Sequence, residues 1–458
     1  MKNFSKTLLV ISGWITAVLL FATNSDSIAQ NKNGAETTVM GHDSIALIGK
    51  LEITGLPIHD VWEYTSQSTG KEYALLCAST SGLRVIDLTD KTNPVQVGSI
   101  SGGGIEAIDV KTWMNFAYIV SESPGVTGKI IDLSDPTAPV QVGTFPAAHN
   151  IFIADSGYMY LSSPGLRIFN LADPLNPVEI YNDNSCNGHD ITIVENRLYD
   201  FSDNCGTRIY DVTDPSSPVL IGTAGDNSTF HHSGWPSEDG NFLFVCDELA
   251  SSTDNDIMVW DISNLASPFK VDSFSDPDAY VHNLYVIGNY AYVSYYRAGF
   301  RVFDVTDPTQ IYFYKEYDTD SSLSGPGYGG NFGLYPFNPD GNILASDENN
   351  GLLIFTFSGQ VLTSYALPAT KDSDYNLYPN PFASRVVLEF SLKQPQVVTS
   401  NIYDLSGKQL RTLLHKGLGT GYHRINLDTQ GLVSGLYVIK LFFGDKEFNR
   451  KVIVTQGD

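Results

Sequence analysis

The stretch Gly82-Leu83-Arg84-Val85-Ile86-Asp87-Leu88-Thr89-Asp90, with Asn93-Pro94-Val95 close behind it, decides the fold because it recurs along the chain. Its pattern is a glycine, an arginine, an apolar run ending in aspartate, and a turn that contains proline. Copies follow at intervals of about 40–50 residues, the period of a four-stranded propeller blade. With a degenerate last copy they number seven, at residues 82–87, 128–132, 165–170, 206–211, 256–261, 299–304 and 351–356.

Each repeat unit has the pattern of four short strands separated by turn residues. In the first unit the strands are expected at residues 59–64, 72–78, 83–88 and 95–100. No long stretch has apolar residues at helical spacing, which excludes the helical solenoids that share this period. The sequence therefore predicts an all-β fold in which residues 44–357 form a seven-bladed β-propeller.

A ring of blades must join its first and last sheets without leaving free edges. Residues 44–53 precede the first full unit and are similar to its fourth strand at 95–100. The last unit has no clear fourth strand of its own after Phe357. We therefore expect an N-terminal strand to complete the last blade and close the ring.

Residues 1–29 have the organisation of a signal peptide, with two early lysines, an apolar run over residues 8–22 and a small-x-small site at 27–29. Cleavage is expected between Ala29 and Gln30. A retained membrane anchor is the alternative, but polar residues interrupt a run that falls short of the roughly 20 residues needed to span a bilayer. No later segment approaches that length, so we expect no membrane-spanning segment after signal removal.

Composition and charge limit the partners and the compartment. The chain carries 27 Lys and Arg against 51 Asp and Glu, a formal charge of −24, which repels nucleic acid. In an exported protein the cysteines are free to pair. Cys186 and Cys205 lie in loop-like surroundings and are the expected disulfide. Cys77 and Cys246 lie in apolar strand-like runs, where we expect buried, unpaired thiols.

The repeat ends before the C-terminus. Short linkers are expected at residues 30–43 and 358–374, the second rich in small and polar residues. Residues 375–458 alternate apolar and polar positions in about seven short runs with turns between them. This pattern predicts a small C-terminal β-sandwich.

Three motifs in this last segment point to export. They are Tyr378-Pro379-Asn380-Pro381-Phe382, residues 402–408 and residues 431–438, and in that order they resemble the type A sorting domain of the type IX secretion system. The resemblance implies that residues 375–458 engage the type IX secretion machinery. It also implies a protein that is secreted or lies at the outer-membrane surface of a Gram-negative bacterium.

The repeat itself also resembles a known family. Leu83-Arg84-Val85-Ile86-Asp87 and its copies are similar to the LVIVD repeat of the choice-of-anchor B family, and residues 333–347 are similar to the terminal unit of that family. The resemblance covers roughly residues 44–357 and implies a cell-surface propeller. No biochemical activity is established for the family, so the resemblance implies none.

A histidine opens the innermost strand in five of the seven predicted blades. In propellers these strands line the central channel, and the loops that lead into them open on one face. Glu106-Ala107 and Asn331-Phe332 are the expected counterparts in blades two and seven. The five histidines and the polar residues that follow four of them are the candidate ligand-binding residues His59, Asp60, His149, Asn150, His189, Asp190, His232, His282 and Asn283.

Two interpretations of this ring are open. Imidazoles and carboxylates around the channel mouth could hold a transition metal or Ca²⁺, with the metal ligands at His149, His189, His232 and His282. Alternatively, each histidine bonds the backbone of the neighbouring blade and holds the ring together. The structural interpretation is preferred, because a residue present in most blades serves a need that every blade has.

Aromatic and glycine-rich insertions interrupt the repeat in blades five to seven. They lie at residues 231–236, 295–297 and 325–330. Aromatic faces beside polar loops suit sugar rings or peptide side chains. This adds ligand-binding candidates at Trp235, Tyr328 and Tyr335. The alternative is a hydrophobic plug that closes the ring.

The sequence contains no Gly-x-Ser-x-Gly, His-Glu-x-x-His, phosphate-loop or paired Cys-x-x-Cys motif, so no catalytic residue is assigned. It favours a non-enzymatic exported propeller that binds a glycan, peptide or protein through its loop-rich face. The alternative is a metal-assisted hydrolase or lyase with its site at the channel mouth. A divalent metal or Ca²⁺ is the one cofactor that the residues suggest.

Overall fold

The computed structural model describes residues 44–359 and 375–454, apart from short gaps at 67, 81, 102–105, 124, 155, 226–228, 250–254, 339, 379–384, 393–395, 405–407, 419–420, 434 and 445. The predicted signal peptide, its cleavage site and the first linker lie outside these residues. The described part of the chain consists of 35 β-strands joined by turns and loops. It contains no helix long and apolar enough to cross a bilayer. The all-β prediction is confirmed.

The first 28 strands form seven antiparallel four-stranded sheets within the described residues, one for each repeat. Blades one to three consist of β2 (Val61–Thr65), β3 (Glu72–Cys77), β4 (Leu83–Asp87), β5 (Val95–Ile100); β6 (Val110–Trp113), β7 (Phe116–Ile119), β8 (Gly128–Asp132), β9 (Val140–Phe145); and β10 (Asn150–Ala154), β11 (Tyr158–Ser162), β12 (Leu166–Asn170), β13 (Val178–Asp183).

Blades four to six have the same order from the inner to the outer strand. They consist of β14 (Ile191–Val194), β15 (Arg197–Phe201), β16 (Thr207–Asp211), β17 (Val219–Ala224); β18 (Ser233–Pro236), β19 (Phe242–Cys246), β20 (Ile257–Asp261), β21 (Phe269–Phe274); and β22 (Leu284–Ile287), β23 (Tyr290–Tyr295), β24 (Gly299–Asp304), β25 (Tyr312–Tyr317). Blade seven combines strands from both ends of the repeat region, namely β26 (Asn331–Tyr335), β27 (Asn342–Asp347), β28 (Gly351–Phe357) and β1 (Ile45–Leu51).

The recurring aspartates shape the turn between the third and fourth strands. Asp87 Oδ1 accepts a hydrogen bond from the Thr89 N–H at 2.7 Å, and Asp90 Oδ1 accepts one from the Thr92 N–H at 3.0 Å. Each bond bridges two residues, as in an Asx-turn, and fixes the chain reversal before the proline. Equivalent bonds occur in blades two, four, five and six, which explains why the motif repeats.

The seven sheets close into a ring. The inner strands β2, β6, β10, β14, β18 and β22 contact one another in that order, β23 of blade six contacts β26, and β26 contacts β2 again. The N-terminal strand β1 pairs antiparallel with β28, placing Ile45 opposite Phe357 and Leu51 opposite Leu352. Closure of the ring by an N-terminal strand, as the sequence predicts, is confirmed.

A glycine marks the place where β1 docks against blade one. A Cβ atom on Gly49 would lie 1.9 Å from the carbonyl oxygen of Lys91, in the turn between β4 and β5. In blade one, a Cβ atom on Gly98 would lie 2.2 Å from the carbonyl oxygen of Pro136, in the corresponding turn of blade two. The N-terminal strand therefore packs against its neighbouring blade as an ordinary fourth strand does.

The seam between blades seven and one also contains a buried carboxyl group. Asn338 Nδ2 donates a hydrogen bond to Glu63 Oε2 at 2.7 Å, and Lys91 Nζ donates one to Asn338 Oδ1 at 3.3 Å. Burial, together with the negative charge of Glu72, raises the pKa of Glu63 to about 7. The folded ring therefore holds a proton on Glu63 more tightly than the unfolded chain does.

The C-terminal segment folds separately around its own core. Its strands form a three-stranded sheet, β29-β30-β33, and a four-stranded sheet, β32-β31-β34-β35, which share one set of buried apolar side chains. This is the sandwich arrangement that the alternation predicts. The strands are β29 (Tyr375–Tyr378), β30 (Arg385–Leu392), β31 (Gln396–Tyr403), β32 (Gln409–Leu418), β33 (Gly421–Asp428), β34 (Gly435–Phe443) and β35 (Lys446–Val454).

Replacing Gly49→Ala should weaken the closure of the ring. The added methyl group cannot fit beside the Lys91 carbonyl unless β1 moves away, so we expect the free energy of unfolding to fall by about 1–3 kcal/mol. Gly417→Ala is the control, because a Cβ atom there meets nothing within 4 Å. Thermal unfolding followed by circular dichroism measures both variants. Equal stability of the two would contradict the docking role of Gly49.

Replacing Glu63→Gln should stabilise the protein at pH 8 but have little effect near pH 5. The raised pKa of Glu63 means that the wild type loses stability as pH rises from about 4.5 to about 7, whereas the amide stays neutral. The expected gain at pH 8 is on the order of 1–3 kcal/mol by urea unfolding. Exposed Glu238→Gln is the control. A gain that is equal at both pH values would refute the explanation.

Candidate metal centre at the channel mouth

The first residues of the inner strands occupy equivalent places around the channel, but blades two and seven differ from the expected register. The Asp60 N–H donates to the Ile108 carbonyl at 3.2 Å, and the Asp190 N–H donates to the His232 carbonyl at 3.2 Å. Ile108 is thus the blade-two counterpart of histidine, not Glu106. In blade seven the counterpart is Phe332, followed by Gly333, since an irregularity in the pairing of β26 and β27 shifts the register there.

The polar residues after the histidines link neighbouring blades. Asn150 Nδ2 donates to Asp109 Oδ2 at 2.9 Å, while Asn150 Oδ1 accepts from the Ile191 N–H at 3.0 Å. Ser233 Oγ donates to the His282 carbonyl at 2.8 Å. Asp60 accepts a 3.1 Å bond from the buried ammonium group of Lys111. For Asp60 and Asn150, two predicted ligand-binding residues, these contacts describe a structural role.

Four of the five predicted histidines form an arc across blades three to six. The ring centroids of His149 and His189 are 4.1 Å apart, those of His189 and His232 are 4.1 Å apart, and those of His232 and His282 are 4.9 Å apart. His59 faces Phe332 instead. We use the name mouth cluster for the arc and its two carboxylates, which comprise His149, His189, Asp190, His232, Glu248 and His282.

The donor atoms of the mouth cluster fall into two compact sets. One set contains His149, His189, Asp190 and His232, and the other contains His232, Glu248 and His282. Within each set the potential ligand atoms all lie within 4.8 Å of one another. The sequence identified the four histidines and Asp190, and the structure brings them together.

The histidines serve the ring and the cluster at the same time. His282 Nδ1 lies 2.6 Å from the Phe332 carbonyl oxygen, and His59 Nδ1 lies 2.9 Å from the Ala107 carbonyl oxygen. A carbonyl accepts only, so each Nδ1 carries the proton and Nε2 of a neutral ring is left with a lone pair. For His282 the bond to the neighbouring blade therefore also produces the tautomer that binds metal through Nε2.

Glu248 and Glu122 reach the mouth from loops that the repeat pattern does not single out. Glu248 lies in the loop between β19 and β20, accepts a hydrogen bond from the Tyr296 hydroxyl, and places Oε2 3.4 Å from Nε2 of His232. Glu122 lies in the equivalent loop of blade two, 2.7 Å from Nδ1 of His149. In the sequence, the one indication that Glu122 and Glu248 reach the mouth is their position between the second and third strands of a blade. The loops at that position open on the histidine face.

Burial controls the charge of the imidazoles. Burial, together with the neighbouring His189 and His282, holds the pKa of His232 well below its usual value, and burial also lowers the pKa of His282. For His149, burial acts to lower the pKa, but Glu122 and Asp190 outweigh it and raise the pKa overall. The inner part of the cluster is therefore made of neutral imidazoles, the form that binds metal ions.

An aromatic plug closes the channel beneath the cluster. Trp235 is only 4% exposed and packs against Tyr285 and Phe337, with both ring pairs 5.3 Å apart. Tyr335 packs against Trp62 at 4.9 Å. The structure therefore places Trp235 in the core and not on the binding face, which favours the plug interpretation for it. Tyr335 lies at the far end of its strand from the mouth and is only partly buried.

A small cavity of about 50 Å³ lies between the cluster and the plug. Its walls include Asp109, Asp190, Ser233 and Asn283, and the buried Asn283 Oδ1 has no hydrogen-bond partner in the described part of the protein. A polar cavity of this size holds ordered water. Asn283, predicted as a ligand-binding residue, therefore faces the interior beneath the cluster.

Tyr328 is the aromatic insertion that stays at the surface. It is 50% exposed, and its ring contacts Tyr280 at 5.4 Å and Tyr296 at 5.2 Å. Tyr296 in turn contacts His282 at 4.9 Å. The three tyrosines form a continuous aromatic row, which we call the tyrosine shelf, from the exposed Tyr328 to the buried Tyr296 beside the mouth cluster.

A disulfide braces the same face. Cys186 and Cys205 are bonded, with Cα atoms 6.4 Å apart, while Cys77 and Cys246 are buried and free, as the sequence predicts. The bond joins the loop that leads to His189 with the loop between β15 and β16. In addition, Asn187 Nδ2 donates to Asp203 Oδ2 across these loops at 3.1 Å. The chain that positions His189 is thus tied down at two points.

Ring, plug and mouth cluster together define a β-propeller with an aromatic plug in its channel and a candidate metal centre at the channel mouth. The LVIVD repeat family matches residues 104–146, 239–276 and 278–319, and the secretion system C-terminal sorting domain matches residues 376–455. The chain carries LVIVD repeats and a type IX sorting domain. It is an exported protein that is secreted or attached to the cell surface. The more specific choice-of-anchor B assignment stays a prediction.

Among solved structures, the WD40 repeats of RRP9 support the propeller fold. The WD40 repeats of RRP9 match with a TM-score of 0.50 and 9% identity, over 69% of this chain and 100% of that chain. U3-55K matches with a TM-score of 0.48 and 10% identity over 68% and 98%. PorZ, a surface component of the type IX secretion system of Porphyromonas gingivalis, matches with a TM-score of 0.41 and 14% identity over 85% and 58%. A search of curated proteins gave no match.

Proposed function

We propose that this exported propeller binds a divalent transition-metal ion in the mouth cluster. The observation that carries the proposal is His232, which is 1% exposed and whose Nε2 has no hydrogen-bond partner within the described residues. A buried polar atom without a partner costs free energy, and the nearest acidic atom, Glu248 Oε2, lies 3.4 Å away. An ion between these two groups would satisfy both.

The carboxylates of the cluster support the same conclusion. Asp190 is buried and Glu248 is mostly buried, and their ion pairs in the described structure are with histidines alone. A buried carboxylate needs a compensating positive charge, and the neutral imidazole of His232 does not supply one to Glu248. Arginine and lysine fill that role elsewhere in the ring, as Lys111 does between Asp60 and Asp109.

The donor set distinguishes between the two kinds of ion that the sequence suggests. Ca²⁺ takes six to eight oxygen ligands, whereas the mouth cluster offers four imidazoles and two carboxylates. Imidazole-rich sites with one or two carboxylates suit zinc and neighbouring transition metals. The geometry therefore favours a transition metal over Ca²⁺.

The position of the cluster leaves the ion open to a further ligand. His149 and His189 are partly exposed at the mouth, and the aromatic plug packs beneath the cluster. A bound ion with a free coordination position could polarise a ligand that enters from solvent. This favours the metal-assisted hydrolase or lyase that the sequence leaves as its alternative, while leaving the reaction itself open.

Metal binding is tested with the mature protein after treatment with EDTA. We expect isothermal titration with Zn²⁺ to show saturable binding that His189→Ala weakens at least about a hundredfold, because a ligand at the partly exposed mouth is lost. His59→Ala is the matched control, since His59 opens the same strand in blade one but lies outside both donor sets. Absence of Zn²⁺ binding, or an equal effect of both variants, would disprove the proposal.

The tyrosine shelf supports a second candidate function, binding of a glycan or peptide beside the metal. An exposed tyrosine held edge to face by two others presents a rigid amphipathic ring of the kind that dominates recognition surfaces. Arg297 Nε holds the loop by donating to the Tyr328 carbonyl at 2.9 Å. This is the non-enzymatic binding role that the sequence favours, and it is compatible with a bound metal.

Binding by the shelf is tested on glycan and peptide arrays. A ligand found there should lose about tenfold or more in affinity with Tyr328→Ala, because stacking on the exposed ring is lost. Tyr312→Ala is the control, since Tyr312 is 37% exposed on the outer strand β25, away from the mouth. If the two variants bind equally, the shelf has no part in recognition.

A further inference from the structure

The mouth cluster has more donors than one ion can use. Metal–nitrogen and metal–oxygen bonds of zinc are about 2.0–2.2 Å long, so two ligand atoms of one ion lie no more than about 4.4 Å apart. The six residues fall into two sets whose members lie within 4.8 Å, and the sets share only His232. His149 and Glu248, at opposite ends of the arc, therefore belong to different coordination spheres.

His232 can be assigned to one of the two sets. Its Nε2 lies 3.4 Å from Glu248 Oε2, the carboxylate of the second set. With His232 in the second set, each set contains two imidazoles and one carboxylate. These are His149, His189 and Asp190 on one side, and His232, His282 and Glu248 on the other.

We propose that the mouth cluster is a binuclear centre that holds two divalent transition-metal ions, each bound by two histidines and one carboxylate. This inference rests on the proposed metal binding and extends it. Two histidines with one carboxylate form a ligand set that leaves coordination positions open. The rings of His189 and His232, one from each set, are 4.1 Å apart, which places the two sites side by side.

The groups around the mouth cluster are suited to two bound ions in both hydrogen bonding and charge. Tyr296 donates to Glu248 in one set, and Glu122 contacts Nδ1 of His149 in the other, so each set has an outer partner that orients a ligand. Three carboxylates, those of Glu122, Asp190 and Glu248, lie within the contacts of the arc. Their negative charge offsets most of the charge of two dications.

A pair of adjacent ions would define the ligand class more narrowly than one ion does. Two ions with open positions bind the two oxygens of a single anionic group, such as a phosphate ester or a carboxylate. The tyrosine shelf lies beside the second set, through the contact of Tyr296 with His282 at 4.9 Å. An anionic group at the ions would thus place the rest of the ligand on the shelf.

The number of ions tests the inference directly. The full mature protein is loaded with excess Zn²⁺, passed through a desalting column, and analysed by inductively coupled plasma spectrometry. We expect two zinc ions per chain in the wild type and one each in Asp190→Asn and Glu248→Gln. Both changes keep the side-chain shape, and circular dichroism checks that each variant folds. His59→Ala should retain two ions.

Each other outcome has a distinct meaning. One ion per chain in the wild type would overturn the binuclear centre and leave the proposed metal binding intact, while none would overturn both. Loss of both ions from either single variant would refute the assignment of one carboxylate to each ion. With Cu²⁺ as the probe, electron paramagnetic resonance should show a half-field signal from coupled ions in the wild type, absent in both carboxylate variants.

Discussion

The structure depends on contacts that pass from each blade to the next around the channel. Single groups carry them, such as the Asp60 N–H on the Ile108 carbonyl, Ser233 on the His282 carbonyl, and Nδ1 of His282 on the Phe332 carbonyl. Because the blades form a ring, the last blade must also pack against the first. That closure requires the first strand of the chain to complete the last sheet. The pairing of β1 with β28 meets that requirement.

One of these contacts also orients a histidine ring at the channel mouth. His282 bonds the next blade through Nδ1 and therefore presents Nε2 elsewhere, and four neighbouring blades direct their rings to one place. For His282, the structural and the metal-binding interpretations are therefore two consequences of one arrangement. Blades one, two and seven, with His59, Ile108 and Phe332 at this position, complete the ring outside the cluster.

The fold could be predicted in detail because the residues that form its turns, such as Asp87 and Asp90, recur once in each repeat. The sequence located the four histidines of the arc for the same reason. It did not locate Glu122 and Glu248, which come from loops with no repeated signature and meet the arc only after closure. The position of Trp235 was predicted wrongly, because an aromatic insertion has the same sequence pattern in a plug and on a surface. Only its depth along the strand distinguishes the two positions.

The most direct test of the metal centre is a crystal structure of the zinc-loaded protein, with anomalous diffraction recorded on both sides of the zinc absorption edge. The account predicts anomalous density at the open end of the channel, within bonding distance of Nε2 of His232 and Nε2 of His282. Density confined to the acidic outer surface, or imidazoles bonded only to water at saturating zinc, would contradict it.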